Sequence, residues 1–330
     1  MGLEEKTMRV AFLSFYSDKV NRGVETYVQE LSSRLTLLSH KVDVFEGGKS
    51  KAKNVKDFTI EVLSKVSVDT DVLIPTNGGW QSLLCKIWCV RHGKKLIISG
   101  QAGLGFDDRL NLWVFPDCFV GLTDYQCAWA RKASPFIKVA KIPNGVDVKK
   151  FNRVGDGLKI NLAKPIVLCA AALIPMKRLD LAIKAVSKLP KGSLLIAGKG
   201  EQEECLKQLG DKLLPGRFQI LSFARTQMSQ VYKAADVFTF PTSPWESFGI
   251  VMLEAMACGL PVVVSNDPIR CEIVGDAGLF VNPEDTQEYA QALEKTLAMK
   301  RGDKPRRQAE KFSWDKIAQQ YDELFHSLVP

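Results

Sequence analysis

The 330-residue sequence has no apolar run long enough to cross a bilayer, no Cys-x-x-Cys pair, and no stretch in which basic and aromatic residues interleave. The first absence excludes a membrane-spanning helix. The second removes the spacing of a structural zinc site or a dithiol redox centre. The third argues against a nucleic-acid partner. The eight cysteines, at 85, 89, 118, 127, 169, 205, 258 and 271, fall mostly inside expected strands and helices. They read as buried, reduced thiols, which points to a cytoplasmic protein. The N-terminal MGLEEKTMRVAFLSF carries acids and then a first strand, so it does not read as a signal peptide. Gly2 is followed by Lys6 where myristoylation needs Ser or Thr. No internal repeat of short period is present.

What is present is an ordinary globular balance, 46% hydrophobic and 25% charged, over a length that suits two domains. The net charge of +8 is uneven. Residues 1–150 hold 22 Lys/Arg against 16 Asp/Glu, and residues 151–330 hold 23 against 21. The first half therefore suits an anionic partner, a phosphorylated substrate or a membrane surface, unless the surplus is simply a solvated face.

Short apolar runs alternate with helical patterns. Strands are expected at 9–15, 42–45, 71–75, 96–99, 118–122 and 139–142, with helices at 23–38, 81–91 and 124–132. The pattern then restarts. Strands are expected at 166–171, 194–197, 218–221, 237–240, 262–265 and 279–281, with helices at 179–189, 203–210, 227–234, 248–258 and 285–299. Such alternation implies an α/β fold with parallel sheets covered on both faces. Between the two series PNGVDVKKFNRVGDGLKINLAK, rich in Gly, Asn and Lys, reads as an interdomain linker. A last amphipathic segment, SWDKIAQQYDELFHSL, follows the second series and needs a surface to cover it.

ESFGIVMLEAMACGLPVV, residues 246–263, is nearly all apolar yet holds Glu246 and Glu254. Ser247 is the expected N-cap of a helix over 248–258, which Gly259 and Pro261 end. Glu246 then precedes the helix and Glu254 lies two turns inside it, roughly 12 Å along the axis. Between them lie the free amides of Phe248, Gly249 and Ile250 at the positive end of the helix dipole, an anion site. Carboxylate, anion hole, carboxylate matches a molecule of hydroxyls, diphosphate and more hydroxyls, such as a nucleotide-sugar. The bland alternative is a buried Glu254 paired with a Lys or Arg.

This stretch resembles the Glu-x7-Glu motif of retaining glycosyltransferases of the GT-B class, the family four type (glycosyl transferases group 1). RGVETYVQELSSRL resembles their first glycine loop and helix, IPNGVDVKKF their link, ALIPMKRLDLAIKAV their diphosphate-binding stretch, and FSWDKIAQQYDELF their C-terminal crossing helix. The resemblance implies two Rossmann-like parallel-sheet domains facing across a cleft: 1–148 with helix 313–330 for the acceptor, and 149–312 for the donor. It implies that Glu254 binds ribose, Glu246 holds hydroxyls of the transferred sugar, and the amides of Phe248, Gly249 and Ile250 hold phosphate. Lys177 would neutralise the diphosphate, and Gly23 would face the donor phosphates. Two positions depart from the pattern. Ala172 stands where the family carries an arginine, for which Arg178 is the available substitute. Gln101, in SGQAGLGFDD, stands where many members carry a histidine, and it would touch sugar or acceptor.

Other signals are weaker. Gly198-Lys199-Gly200 invites a dinucleotide reading, but Glu203 stands where the third glycine belongs. Asp69-Thr70-Asp71 resembles a metal motif but leads into a strand and reads as a turn. The expectation is thus a metal-independent hexosyltransferase with no cofactor beyond a UDP- or GDP-sugar donor, acting on a sugar or lipid-linked acceptor. A non-catalytic nucleotide-sugar-binding protein of the same fold is the alternative. A lysine-rich loop, with Lys49, Lys51, Lys53 and Lys56, suggests peripheral contact with an anionic membrane.

Overall fold

The computed structural model describes residues 7–17, 23–300 and 302–329. The expectations for Gly2 and Lys6 lie outside the described residues, as does Arg22. The chain divides into two units, Met1–Gly145 with Trp314–Pro330, and Val146–Ser313.

In the first unit the strands are β1 (Arg9–Ser14), β2 (Lys41–Glu46), β3 (Val72–Pro75), β4 (Lys95–Ser99), β5 (Cys118–Gly121) and β6 (Val139–Lys141). They form a parallel sheet in the order β2-β1-β3-β4-β5-β6. Helices α1 (Gly23–Leu37), α2 (Val55–Leu63), α3 (Trp80–His92), α4 (Phe106–Trp113) and α5 (Asp124–Ala133) connect them. The central strands are apolar on both faces because helices cover both.

The second unit holds β7 (Ile166–Ala170), β8 (Ser193–Ala197), β9 (Phe218–Leu221), β10 (Val237–Phe240), β11 (Val262–Ser265) and β12 (Gly278–Val281). These too are all parallel, in the order β12-β11-β10-β7-β8-β9. Its helices are α6 (Leu179–Ser187), α7 (Glu203–Leu213), α8 (Met228–Ala234), α9 (Ile250–Ala257), α10 (Pro268–Val274), α11 (Thr286–Ala298) and α12 (Lys304–Glu310).

Helices α2, α4, α10 and α12 were not expected from the sequence. The lysine-rich stretch read as a loop in fact runs into α2, whose N-cap Asn54 accepts from the Asp57 amide. Lys56 is therefore a helical residue, and its amine lies 5.0 Å from the centre of the Trp80 ring. Lys49 sits in a single 3₁₀ turn and pairs with Glu46. The expected linker is also a packed segment from Val146 onward. Arg306 donates to the carbonyls of Val148 and Phe151, and the Leu158 amide donates to Gln230.

The last helix, α13 (Trp314–Leu328), closes the first unit by packing on α1. The hydroxyls of Tyr27 and Tyr321 lie 3.0 Å apart in the interior, and Asp322 meets the His40 ring at 2.9 Å. Trp314 is fully buried, its ring 6.4 Å from that of Tyr27. A Cβ on Gly145 would come within 2.7 Å of that indole, so packing against Trp314 requires glycine there. Trp314→Ala is expected to cost ~3–5 kcal/mol in the unfolding transition that includes the first unit, the scale for deleting a buried aromatic ring. Urea unfolding followed by circular dichroism checks it, and a loss below ~1 kcal/mol would show that α13 is dispensable to the unit.

Candidate functional site

In the second unit the chain runs from β7 outward to β8 and β9, then returns and runs the other way through β10, β11 and β12. The strand order therefore reverses between β7 and β10. In an open parallel sheet the connections leaving the carboxyl ends of two such strands diverge and leave a crevice. The segments leaving there, 171–178 and 241–249, carry Lys177 and Glu246.

These two segments are stitched together by main-chain bonds. The Met176 carbonyl accepts from the Ser243 amide at 2.9 Å and from the Thr242 hydroxyl at 3.2 Å. Arg178 has φ +49°, an uncommon conformation for a side chain with a Cβ. Its guanidinium donates to the carbonyls of Pro241 (2.9 Å) and Thr242 (2.8 Å) and pairs with Glu284. Arg178 thus acts as a clamp on the end of β10.

Lys177 and Glu246 form an ion pair, and both side chains are largely shielded. The Lys177 amine also lies 5.4 Å from the centre of the Phe240 ring. The same ring limits Gly249: a Cβ there would meet Phe240 at 2.8 Å, and its φ is +89°. Both facts demand glycine, independently of any ligand. Beneath the loop lies Arg270, 0% exposed. It pairs with Asp267 at 2.8 Å and donates to the Glu246 carbonyl at 2.7 Å and more weakly to Ser243. A buried guanidinium with all these partners holds the backbone of Glu246 in place. Sequence reasoning missed it, although the Asp267-Pro268 pair is a legible helix start and does cap α10.

Helix α9 begins at Ile250, two residues later than expected, with Gly249 rather than Ser247 at its N-cap. Phe248 is turned into the interior, 6.3 Å from the Phe312 ring. The amides of Phe248, Gly249 and Ile250 meet no acceptor among the described residues. Inside the helix Glu254 is buried and accepts from Arg225 at 3.0 Å and from the Tyr232 hydroxyl at 2.8 Å. The alternative of a buried basic partner is thus realised by Arg225. Burial, followed by the Glu254 charge, holds the Tyr232 phenol well above its usual pKa. Each Glu254 oxygen retains a lone pair beyond these bonds.

Lys177, Arg178, Glu246, Phe248, Gly249, Ile250 and Glu254 all belong to the second unit, whereas Gly23 and Gln101 belong to the first. Gly23 is the exposed first residue of α1. Gln101 and Asn144 exchange side-chain hydrogen bonds at 2.9 Å in both directions, so the Gln101 amide already has a partner. Behind it, Asp108 is buried among Asn111 and Gln126, and Gln126 also donates to the Gly100 carbonyl. Burial is the main cause that pushes the Asp108 carboxyl up to about 7.

Residues 154–313, most of this second unit, match the family described as glycosyl transferases group 1. These residues, just under half of the chain, carry its likeness to that family. It is 28% identical over 334 residues to a phosphatidyl-myo-inositol mannosyltransferase of Mycolicibacterium smegmatis, covering 87% of this chain and 84% of that protein. Three other curated relatives are matched over under half their length, 29%, 45% and 37%. In structure the chain is similar to a sucrose-phosphate synthase of Thermosynechococcus elongatus (TM-score 0.81, 20% identity, 97% of this chain and 99% of that one). It is also similar to Anabaena HepE in complex with UDP-glucose (TM-score 0.76, 19% identity, 97% and 100%). The two parallel-sheet units are those of the GT-B fold.

The remaining glycine and acid motifs have structural roles. A Cβ on Gly198 would meet the Ala171 carbonyl at 1.9 Å, and one on Gly200 the Leu173 carbonyl at 2.4 Å. These glycines let the connection after β8 pass the one after β7. Asp71 accepts from the Arg9 amide at 2.9 Å, and Asp69 faces the Arg9 guanidinium.

The raised Asp108 pKa has a consequence for stability. The folded state keeps the proton that the unfolded chain releases near pH 4. This favours folding fully below about pH 4 and is lost as pH rises toward about 7. Asp108→Asn is expected to remove that slope, read as the difference in melting temperature between wild type and variant across this window. A difference that stays constant with pH would show Asp108 ionised in the fold.

Proposed function

We propose that this protein is a group 1 glycosyltransferase that moves a hexose from a nucleotide-diphosphate-sugar to an acceptor hydroxyl, with retention and without a metal. The observation that carries the reading is one cation and one carboxylate, Lys177 and Glu246, at the mouth of α9. The unpaired amides of 248–250 lie between Glu246 and Glu254. Glu254 would accept from the ribose hydroxyls, and Glu246 from hydroxyls of the transferred sugar. The amides and Lys177 would meet the diphosphate.

When the anomeric carbon–oxygen bond breaks, the diphosphate leaves with the electron pair and its charge grows. Oriented amides and a fixed ammonium stabilise that charge more than they stabilise the bound donor. The sugar passes through an oxocarbenium-like state. The acceptor oxygen attacks on the face the diphosphate leaves, and its proton passes to the departing phosphate oxygen. HepE bound to UDP-glucose supports a nucleotide-sugar donor, UDP- or GDP-linked in this proposal, and the M. smegmatis phosphatidyl-myo-inositol mannosyltransferase supports a lipid-linked acceptor beside a sugar one. A lipid-linked acceptor would bring the protein to the cytoplasmic face of an anionic membrane. Lys51, Lys53 and Lys56, all exposed, are lysines available for it.

A second reading, a nucleotide-sugar binder without catalysis, is favoured by the Gln101–Asn144 pairing and by Ala172. One experiment separates the two. A panel of nucleotide-sugars with excess EDTA is incubated with the protein, and proton NMR follows the first-formed product. Transfer or donor hydrolysis that keeps the anomeric configuration is expected. An inverted anomer contradicts retention, a strict Mg²⁺ or Mn²⁺ requirement contradicts the metal-free reading, and binding without turnover favours the non-catalytic one.

A further inference from the structure

A helix lying on a sheet has one side to bury and one to leave in water, so its outer side is ordinarily polar. Helix α3 departs from this. Gln81, Ser82, Cys85 and Cys89 are its buried side. On the other side Trp80, Leu83, Ile87 and Val90 are 59%, 39%, 56% and 69% exposed. At 100° per residue these four fall in one stripe roughly 80° wide. The more polar side of α3 is therefore the buried one.

The stripe does not stand alone. Phe58 and Val62 of α2, Cys85 and Cys89 of α3, and Leu112 of α4 share one core cluster, so the three helices form one layer over the sheet. Helix α2 packs beside α3, and Ile60 of α2 and Trp113 of α4 are exposed too. An exposed apolar stripe such as that of α3 marks an interaction site.

Charge decides the partner. Segment 47–94 carries eight Lys/Arg against four Asp/Glu. All four acids are engaged by protein groups: Glu61 by Lys65 and Ser50, and Asp69 and Asp71 by Arg9. Asp57 accepts from Asn54. Lys51 and Lys53 are exposed, Lys56 sits over Trp80 at one end of the stripe, and Arg91 is exposed at the other. An apolar stripe with a tryptophan at its end and a basic rim is the pattern of a helix that lies in a membrane interface. A second copy of the chain would oppose one basic rim to another.

We infer that the outer face of α3, flanked by α2 and α4, docks on an anionic bilayer. Trp80, Leu83, Ile87 and Val90 enter the boundary between headgroups and acyl chains. Lys51, Lys53, Lys56 and Arg91 meet the lipid phosphates. This deepens the lipid-linked acceptor reading and rests on it for its purpose, since a surface-docked enzyme meets such an acceptor in the plane of the membrane.

The test is co-sedimentation of the full chain with phosphatidylcholine vesicles, with and without phosphatidylglycerol. Binding should require the anionic lipid and weaken with salt, because the lysines and Arg91 are screened. Ile87→Glu with Val90→Glu should lower partitioning about tenfold or more while leaving the melting temperature unchanged. Leu83→Ser with Ile87→Ser, which adds no charge, should act in the same direction. Acyl-chain-brominated lipid should quench tryptophan fluorescence in wild type and less in Trp80→Phe. Three results overturn the inference: wild type ignoring anionic vesicles at low salt, the apolar-face variants binding as wild type does, or a lipid-free dimer that those variants dissolve. Donor turnover measured without lipid is independent of all these outcomes.

Discussion

The ion pair between Lys177 and Glu246 ties together the two segments that leave the sheet where its strand order reverses. Its geometry depends on features around it. Phe240 at the end of β10 lies under the ammonium and against Gly249. Arg270 holds the Glu246 carbonyl from below, and Arg178 holds the end of β10 from the side. An ammonium and a carboxylate shielded from water attract strongly, but each also loses hydration, so the pair adds little net stability by itself. What it supplies is two opposite charges fixed at one crevice before any ligand arrives, which is what transition-state stabilisation by preset charges requires.

The same economy governs the rest of the second unit. Glu254 is embedded in a helix whose other residues are nearly all buried, and Arg225 and the Tyr232 hydroxyl answer its charge. Arg270 is balanced by Asp267 and by carbonyls. Removing one member of either group would leave a charge in a poor dielectric, at a cost of ~3–5 kcal/mol. Such networks fix loop positions more than they raise stability, and both networks border the 241–249 segment or the helix that follows it.

The twelve strands among the described residues were legible in the sequence, the central ones most plainly because a strand buried on both faces must be a short apolar run, as in IVLCA and VVVS. The helices missed have weaker signals. KPRRQAE is polar nearly throughout, and PIRCEIV is only seven residues long. VKDFTIEVL was hidden by the lysines before it, though Asn54 and Asp57 mark its start. The Glu-x7-Glu spacing located Glu246 and Glu254. It placed the helix start two residues early, because Gly249 takes a positive φ and Phe248 turns inward against Phe312. Arg225, Arg270 and the Gln101–Asn144 pair could not be read this way. Their partners stand 29, 24 and 43 residues away, and nothing local in a sequence encodes a contact at that separation.

The most direct measurement is calorimetric binding of UDP and GDP to wild type, Lys177→Ala and Glu246→Gln. If the Lys177 ammonium serves the diphosphate and Glu246 holds it in readiness, Lys177→Ala weakens the preferred nucleotide about tenfold or more, the scale of one charge-assisted contact. Glu246→Gln then leaves that affinity unchanged or improves it, because it removes the competing carboxylate. Unaltered nucleotide affinity in Lys177→Ala would contradict this reading and leave the ion pair a purely structural link.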